Sequence, residues 1–116
     1  KVHKVWSAVD CGHALQPQNV QAQIEGSVAY GMTTLHSEIS VDNGRVVETN
    51  FHNFRVMKIA EMPKVEVVLP LTHDFWGGVG EPTICVVVPA ILNAIHAATG
   101  KPVRSLPLSK QGLTLV

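Results

Sequence analysis

The segment Gly77-Gly78-Val79-Gly80-Glu81-Pro82 sets one carboxylate behind three glycines and ahead of a proline. Glycine opens backbone conformations closed to other residues and lets another molecule approach the main chain closely. Proline suits the first position of a helix, where its missing N–H costs nothing. An apolar run follows. The loop is therefore expected to deliver Glu81 to the mouth of a helix, beside bare backbone. A lone acid held there suits proton transfer. The plainer alternative is a glycine-rich turn whose acid favours a helix N-terminus.

Gln23 is the second residue with chemical potential. It lies alongside a helical stripe formed by Val20, Ile24, Val28 and Gly31. A buried amide needs partners, from backbone or from a polar ligand. Gly26 and Gly31 are unusual inside such a helix, since each costs about 1 kcal/mol against alanine. They point to close contact with another backbone or with a ligand. Cys11 and Cys85 form neither a disulfide framework nor a paired metal site. Two buried free thiols are expected. Six scattered histidines show no zinc-motif spacing, so no metal ligands are assigned.

The 116 residues allow one domain with a modest core. Nine basic and nine acidic residues cancel, and no charge block stands out. Neither nucleic acid nor an anionic membrane surface is indicated as a partner. The densest apolar runs, 65–71 and 86–88, fall far short of a bilayer span, and no transmembrane segment is expected. A start at Lys1 and not at methionine points to a piece of something longer.

The elements around these residues follow from periodicity. Residues 5–9 alternate as a strand, ended by Asp10-Cys11-Gly12. A helix is expected from Pro17 to about Leu35. Residues 37–41 and 45–49 flank Asp42-Asn43-Gly44, a strong hairpin turn. Val65, Val67 and Leu69 make another strand. Residues 82–88 are expected as a short helical turn that Pro89 breaks or restarts. Ile91, Ala94, Ile95 and Ala98 mark a second helix stopped by Gly100. Residues 103–106 read as a last short strand, and the chain from Pro107 as a tail whose residues 113–116 can dock. The economical packing is one α+β domain, with two helices on a mostly antiparallel sheet. Exposed apolar surface that a larger protein would cover is expected.

Taken in order, Asp10-Cys11-Gly12, Gln23-Ile24-Glu25-Gly26, Gly31, Asn50-Phe51, Arg55, Met62-Pro63, Gly78-Val79-Gly80-Glu81-Pro82, Pro89-Ala90, Asn93-Ala94-Ile95 and Ala98-Thr99-Gly100 resemble one family. They are similar to the C-terminal end of the molybdopterin-binding large subunit of molybdenum hydroxylases, the xanthine dehydrogenase and aldehyde oxidase family. The nearest likeness is to isoquinoline 1-oxidoreductase beta subunits and aldehyde dehydrogenase large subunits. The resemblance covers roughly residues 5–107.

It implies that Glu81 is the catalytic general base, acting on a metal-bound hydroxyl beside the molybdenum centre. The substrate is then an N-heterocycle of the isoquinoline type or an aldehyde, and the inserted oxygen comes from water. It implies that Gln23 contacts the pterin, that Gly26 gives it close approach, and that Gly78 and Gly80 line the same site. The implied cofactor is molybdopterin, in its cytosine dinucleotide form, with molybdenum. Electrons leave through [2Fe-2S] clusters of a partner iron–sulfur small subunit. The remainder of the molybdenum-binding subunit is a further implied partner. Family members are several times longer, so the chain alone is expected to be inactive. Either cytoplasmic or periplasmic location is compatible. The enzyme reading expects Gln23 and Glu81 to approach one common cleft. A second reading, a non-catalytic α+β binding or assembly module, places them on different surfaces.

Overall fold

A computed structural model of the chain describes residues 1–115. The first strand, β1, is Lys4–Ala8, and its alternation of exposed and half-buried residues is that of a strand with one covered face. Helix α1, Pro17–Thr33, starts with proline at its first turn. Its inward stripe is Ile24, Val28 and Met32, continued by Leu35, all fully buried. Ser27, Gly31 and Thr33 are buried beside it.

The hairpin forms where its turn chemistry places it. Strands β2 (Val41–Asp42) and β3 (Arg45–Val46) pair antiparallel across Asn43 and Gly44, both at positive φ. Positive φ at both central residues is what this tight turn requires. The strands are shorter than the alternation implies, because their side chains face solvent on both sides.

Strand β4, Lys64–Val68, pairs with β1, and the pairing is parallel, from Lys4 opposite Lys64 to Ala8 opposite Val68. This corrects the expected mostly antiparallel sheet. Alternation reports which face is covered and carries no strand direction. Direction is set by the connection, and a long one containing α1 permits a parallel return. The register also sets Lys4 and Lys64 side by side. Glu66 takes an ion pair from each, at 2.6 and 3.3 Å.

Helix α2 runs unbroken over Pro82–Thr99 and ends at Gly100 in the left-handed conformation. Pro89 sits within it, which corrects the expected break. Proline there removes one intrahelical bond, at a cost of about 3 kcal/mol. Burial of Val87 and Ile91 on the two sides of that position offsets the loss. As one helix of 18 residues with mean hydropathy 1.6, α2 is long and apolar enough to cross a membrane by length and composition alone. The expectation of no such segment rested on the shortness of the runs 65–71 and 86–88 and did not count the whole of 82–99 as one helix. Here it lies against α1.

Residues 103–106 form no strand. The backbone instead turns back to α1, with Leu108 N–H donating to the Leu35 carbonyl at 2.9 Å. Leu108 is fully buried at the start of a 3-10 turn, Leu108–Gln111. Leu113 and Leu115 pack against the same core, so this segment is no loose tail. Val116 lies outside the described residues. The core is thus one cluster of Val28, Met32, Leu35, Val87, Ile91 and Leu108. The fold is α+β, with two helices and two small sheets among the described residues.

Candidate active site

Glu81 stands at the N-cap of α2, with φ −122° and ψ −24°. Its carbonyl accepts the first helical bond, from Ile84 N–H at 3.0 Å. Its carboxylate makes no capping hydrogen bond. Serine, threonine, aspartate and asparagine are the residues that cap well from this position. The fold therefore leaves the Glu81 carboxylate exposed and available. It lines an open depression with Gly78, Gly80, Pro82, Ile84 and Cys85.

The loop carrying Glu81 is fastened from two sides. After β1, the Asp10 carboxylate accepts the Gly12 N–H at 2.8 Å and the Thr72 N–H at 3.3 Å through one oxygen, Oδ1. The Gly12 N–H is the foremost reason that the Asp10 carboxyl is held below its ordinary value, and the Thr72 contacts act in the same direction. Gly12 O then accepts from His73 N–H at 3.0 Å, and Cys11 O from Gly77 N–H at 2.9 Å. Gly12 has φ +74°, and a Cβ there would overlap the Phe75 carbonyl. Only glycine lets these two loops close. On the far side, the buried Ser27 of α1 donates its hydroxyl to the Gly80 carbonyl at 3.1 Å.

His13 and His73 add to the first junction. Their Nδ1 atoms are 3.4 Å apart, and His13 stacks on Trp76 with ring centroids at 4.4 Å. No group of three or more metal-ligating side chains occurs among the described residues.

Gln23 is exposed on α1. It lines a neighbouring depression with Leu15, Gln16, Asn19, Val20 and Val79. Gln23 and Glu81 therefore share no single depression. Residues 78–80 form the wall between two, with Gly78 and Gly80 toward Glu81 and Val79 toward Gln23. A more enclosed groove of about 680 Å³ lies elsewhere, between β1, α2 and the C-terminal segment. Its lining is mainly apolar and includes none of the predicted site residues.

The glycines divide into two kinds. Gly31 packs against α2, where a Cβ would overlap Val87 and crowd the Ile84 carbonyl. Gly26, Gly78 and Gly80 have nothing within 4 Å of the place a Cβ would occupy, and none has positive φ. The fold itself requires no glycine at these three positions. Cys11 is buried, with its thiol donating to His13 O at 3.3 Å. Cys85 is exposed, which corrects the expectation of two buried thiols. The buried stripe of α2 runs Thr83, Val87 and Ile91, and Cys85 falls off it.

Sequence reasoning missed Ser27 as a tether and Asp10 as a bridge between loops. A hydroxyl on a buried helix stripe was the available signal for Ser27. The Asp-x-Gly spacing announced only a local turn at Asp10. Its second partner, Thr72, is 62 positions away.

The profile of a family described as the molybdopterin cofactor-binding domain matches residues 1–63. The chain is 36% identical over 108 residues to the isoquinoline 1-oxidoreductase subunit beta of Brevundimonas diminuta, spanning 92% of this chain and 14% of that protein. The chain belongs to the molybdenum hydroxylase family, as one of its molybdopterin cofactor-binding domains. It is also 35% identical over 107 residues to a membrane-bound aldehyde dehydrogenase [pyrroloquinoline-quinone] of Gluconacetobacter polyoxogenes, over 90% of this chain and 14% of the relative. Among solved structures, a Cu,Mo-CO dehydrogenase in its carbon monoxide reduced state superposes with a TM-score of 0.71 at 26% identity, over 82% of this chain and 13% of that one. The chain thus spans about one seventh of the length of these relatives.

A molybdopterin group is compatible with the residues present. Gly26, Gly78 and Gly80 leave open space over their backbone, and the amide of Gln23 and the carboxylate of Glu81 are both exposed. The family profile spans Gln23 and Gly26, while Gly78, Gly80 and Glu81 fall beyond residue 63.

Proposed function

We propose that this chain is the part of a molybdenum hydroxylase that carries the general base, Glu81, and contacts to the cofactor from two neighbouring depressions. Gly78 and Gly80 contribute beside Glu81, and Gln23 on the other side of residues 78–80, with Gly26 on the same helix as Gln23. The reaction is hydroxylation of an N-heterocycle of the isoquinoline type, or oxidation of an aldehyde, with oxygen from water. One observation carries this reading. Glu81 occupies a helix N-cap without capping the helix, behind two glycines that the fold does not require.

When bound, the molybdenum cofactor, in its cytosine dinucleotide form, supplies a water-derived oxygen and takes up the two electrons of the oxidation. Glu81 accepts at its carboxylate the proton that this oxygen gives up on adding to an electron-poor carbon. For that step the carboxylate must come within about 2.6–3.2 Å of the proton donor. The open backbone at Gly78 and Gly80 admits the group close to the main chain. Gln23 offers both a donor and an acceptor, which matches the mixed hydrogen-bonding edge of a pterin. With two cysteines, the chain cannot itself supply the four thiolates of an iron–sulfur cluster. The electrons pass to [2Fe-2S] clusters in a partner subunit, and the remainder of the molybdenum-binding subunit covers Glu81 and completes the substrate funnel.

The test is made on the full-length gene product, co-expressed with its iron–sulfur partner. Molybdenum and pterin content are measured first, then turnover of isoquinoline and simple aldehydes. Glu81→Gln is expected to retain the cofactor and lose turnover by about 100-fold or more, the scale of a general base. A wild-type protein without molybdenum, together with an inert substitution, would falsify the reading and leave the non-catalytic module.

A further inference from the structure

We propose that Asp10 and Ser27 are positioning residues that hold the loop of residues 72–81 at two points and thereby fix where the Glu81 carboxylate stands. The inference rests on the reading of Glu81 as the base, and the experiment below separates the two.

The first tether is Asp10. One carboxylate oxygen accepts from Gly12 N–H and from Thr72 N–H, so a single atom joins the exit of β1 to the start of the glycine loop. The join is extended by main-chain bonds from His73 N–H to Gly12 O and from Gly77 N–H to Cys11 O. The second tether is Ser27. Its hydroxyl, buried within α1, donates to the carbonyl of Gly80, the residue before Glu81. Gly78 and Gly80 are exposed, and nothing lies within 4 Å of the place a Cβ would occupy at either. The loop is therefore held at its start by the Asp10 carboxylate on Thr72 N–H and, between Gly77 and α2, by the Ser27 hydroxyl on the Gly80 carbonyl. Displacement of a catalytic group by about 1 Å is enough to lower a rate by two orders of magnitude. Neither Asp10 nor Ser27 needs to touch the substrate to have that effect.

The chemistry of the Asp10 tether makes a sharp distinction. Gly12 and Thr72 both donate, so an uncharged acceptor oxygen at this position keeps the bonds, in a weaker form than the carboxylate makes them. Asn keeps that oxygen and Ala does not.

The experiment uses the holoprotein with its partner subunit, in Asp10→Ala, Asp10→Asn, Ser27→Ala and Glu81→Gln forms. Hydrogen exchange is followed at residues 72–81, alongside kcat and KM. Asp10→Ala and Ser27→Ala are expected to speed exchange in the loop about tenfold or more, and to lower kcat by about tenfold or more with a smaller change in KM. Asp10→Asn is expected to restore most of both, since it keeps the acceptor oxygen without the charge. Ser27→Ala tests the idea independently should Asp10→Ala fail to fold. Unchanged exchange in both alanine variants overturns the tethers, and so does an Asn variant as impaired as the Ala one. Intact turnover in Glu81→Gln overturns the base reading instead, so the two failures are told apart.

Discussion

At Gly26 the demands of folding and of ligand approach have opposite signs. Gly26 sits exposed within α1 with nothing near the site of a Cβ. An exposed helical glycine replaced by alanine gains up to about 1 kcal/mol of stability. If the residue gives close approach to the pterin, the same methyl group weakens cofactor binding. Gly26→Ala is therefore expected to raise the urea midpoint of the apoprotein while lowering the molybdenum and pterin content of the isolated holoprotein. Gly80→Ala repeats the logic beside Glu81, because its backbone is unstrained and its surroundings are open. It should leave the unfolding free energy within about 0.5 kcal/mol of wild type and reduce turnover. Full cofactor content and full turnover in both variants would remove the case for these glycines as a cofactor surface.

At the scale of elements, the contact of α1 with α2 depends on a different glycine. Gly31 is buried where α2 passes closest, and a methyl group there meets the Val87 side chain and the Ile84 carbonyl. A side chain can shift, whereas a backbone carbonyl moves only if α2 moves with it. Gly31→Ala is expected to destabilise the fold by about 1–3 kcal/mol, the usual range for overpacking, as read by urea denaturation. Ile84 lies three residues after Glu81, so the same strain reaches the mouth of α2. Two helical glycines five positions apart thus respond oppositely to one substitution, because one faces α2 and the other faces open space. Periodicity places Gly31 on the apolar stripe. It does not reveal how near the second helix comes.

The whole molecule is larger in outline than its mass calls for. Its radius of gyration is 16.1 Å, against about 13 Å for a compact chain of this length. Its accessible surface is 7904 Å², against about 6,200 Å² for a compact monomer of this mass. Trp6, Leu15, Tyr30, Phe51, Ile59 and Trp76 all stand exposed, in keeping with the apolar surface anticipated from sequence. Stability should also depend on acid. Hydrogen bonds and lysine or arginine neighbours hold Asp10, Glu48, Glu61 and Glu66 below their ordinary values of 3.8 and 4.5, led by the Gly12, Ser40 and Lys58 N–H groups and the Lys4 ammonium. Carboxyls depressed in the folded state contribute stability that is complete above those ordinary values and is lost as pH falls through the lower folded ones. His36 acts in the same direction. Burial first, and Arg55 second, lower its value from 6.5, so protonation below that pH favours the unfolded chain. The urea midpoint is expected to begin to fall below pH 6.5 and to fall further below about pH 4.5, modestly because these carboxyls are exposed. A midpoint unchanged between pH 7 and pH 3 would contradict these placements.

The sequence by itself determined the α+β class, both helix starts at proline, the hairpin at Asn43-Gly44, the family, and the delivery of Glu81 to a helix mouth. Each of these is a local property: a fixed φ, a tolerated positive φ, a period, or an ordered set of motifs. Tertiary structure alone decided the parallel pairing of β1 with β4, since alternation has no direction and only the path of the chain supplies one. It decided that α2 continues through Pro89, because burial of Val87 and Ile91 outweighs one missing bond. It sent residues 103–106 past the sheet and buried Leu108 against Leu35. It also separated glycines that look alike in sequence. Gly12 and Gly31 are held to glycine by neighbours far along the chain, the Phe75 carbonyl and α2, while Gly26, Gly78 and Gly80 are left facing open space. Distances between residues remote in sequence are set only when the chain closes on itself, which is why Asp10 reads as a turn residue until Thr72 arrives beside it.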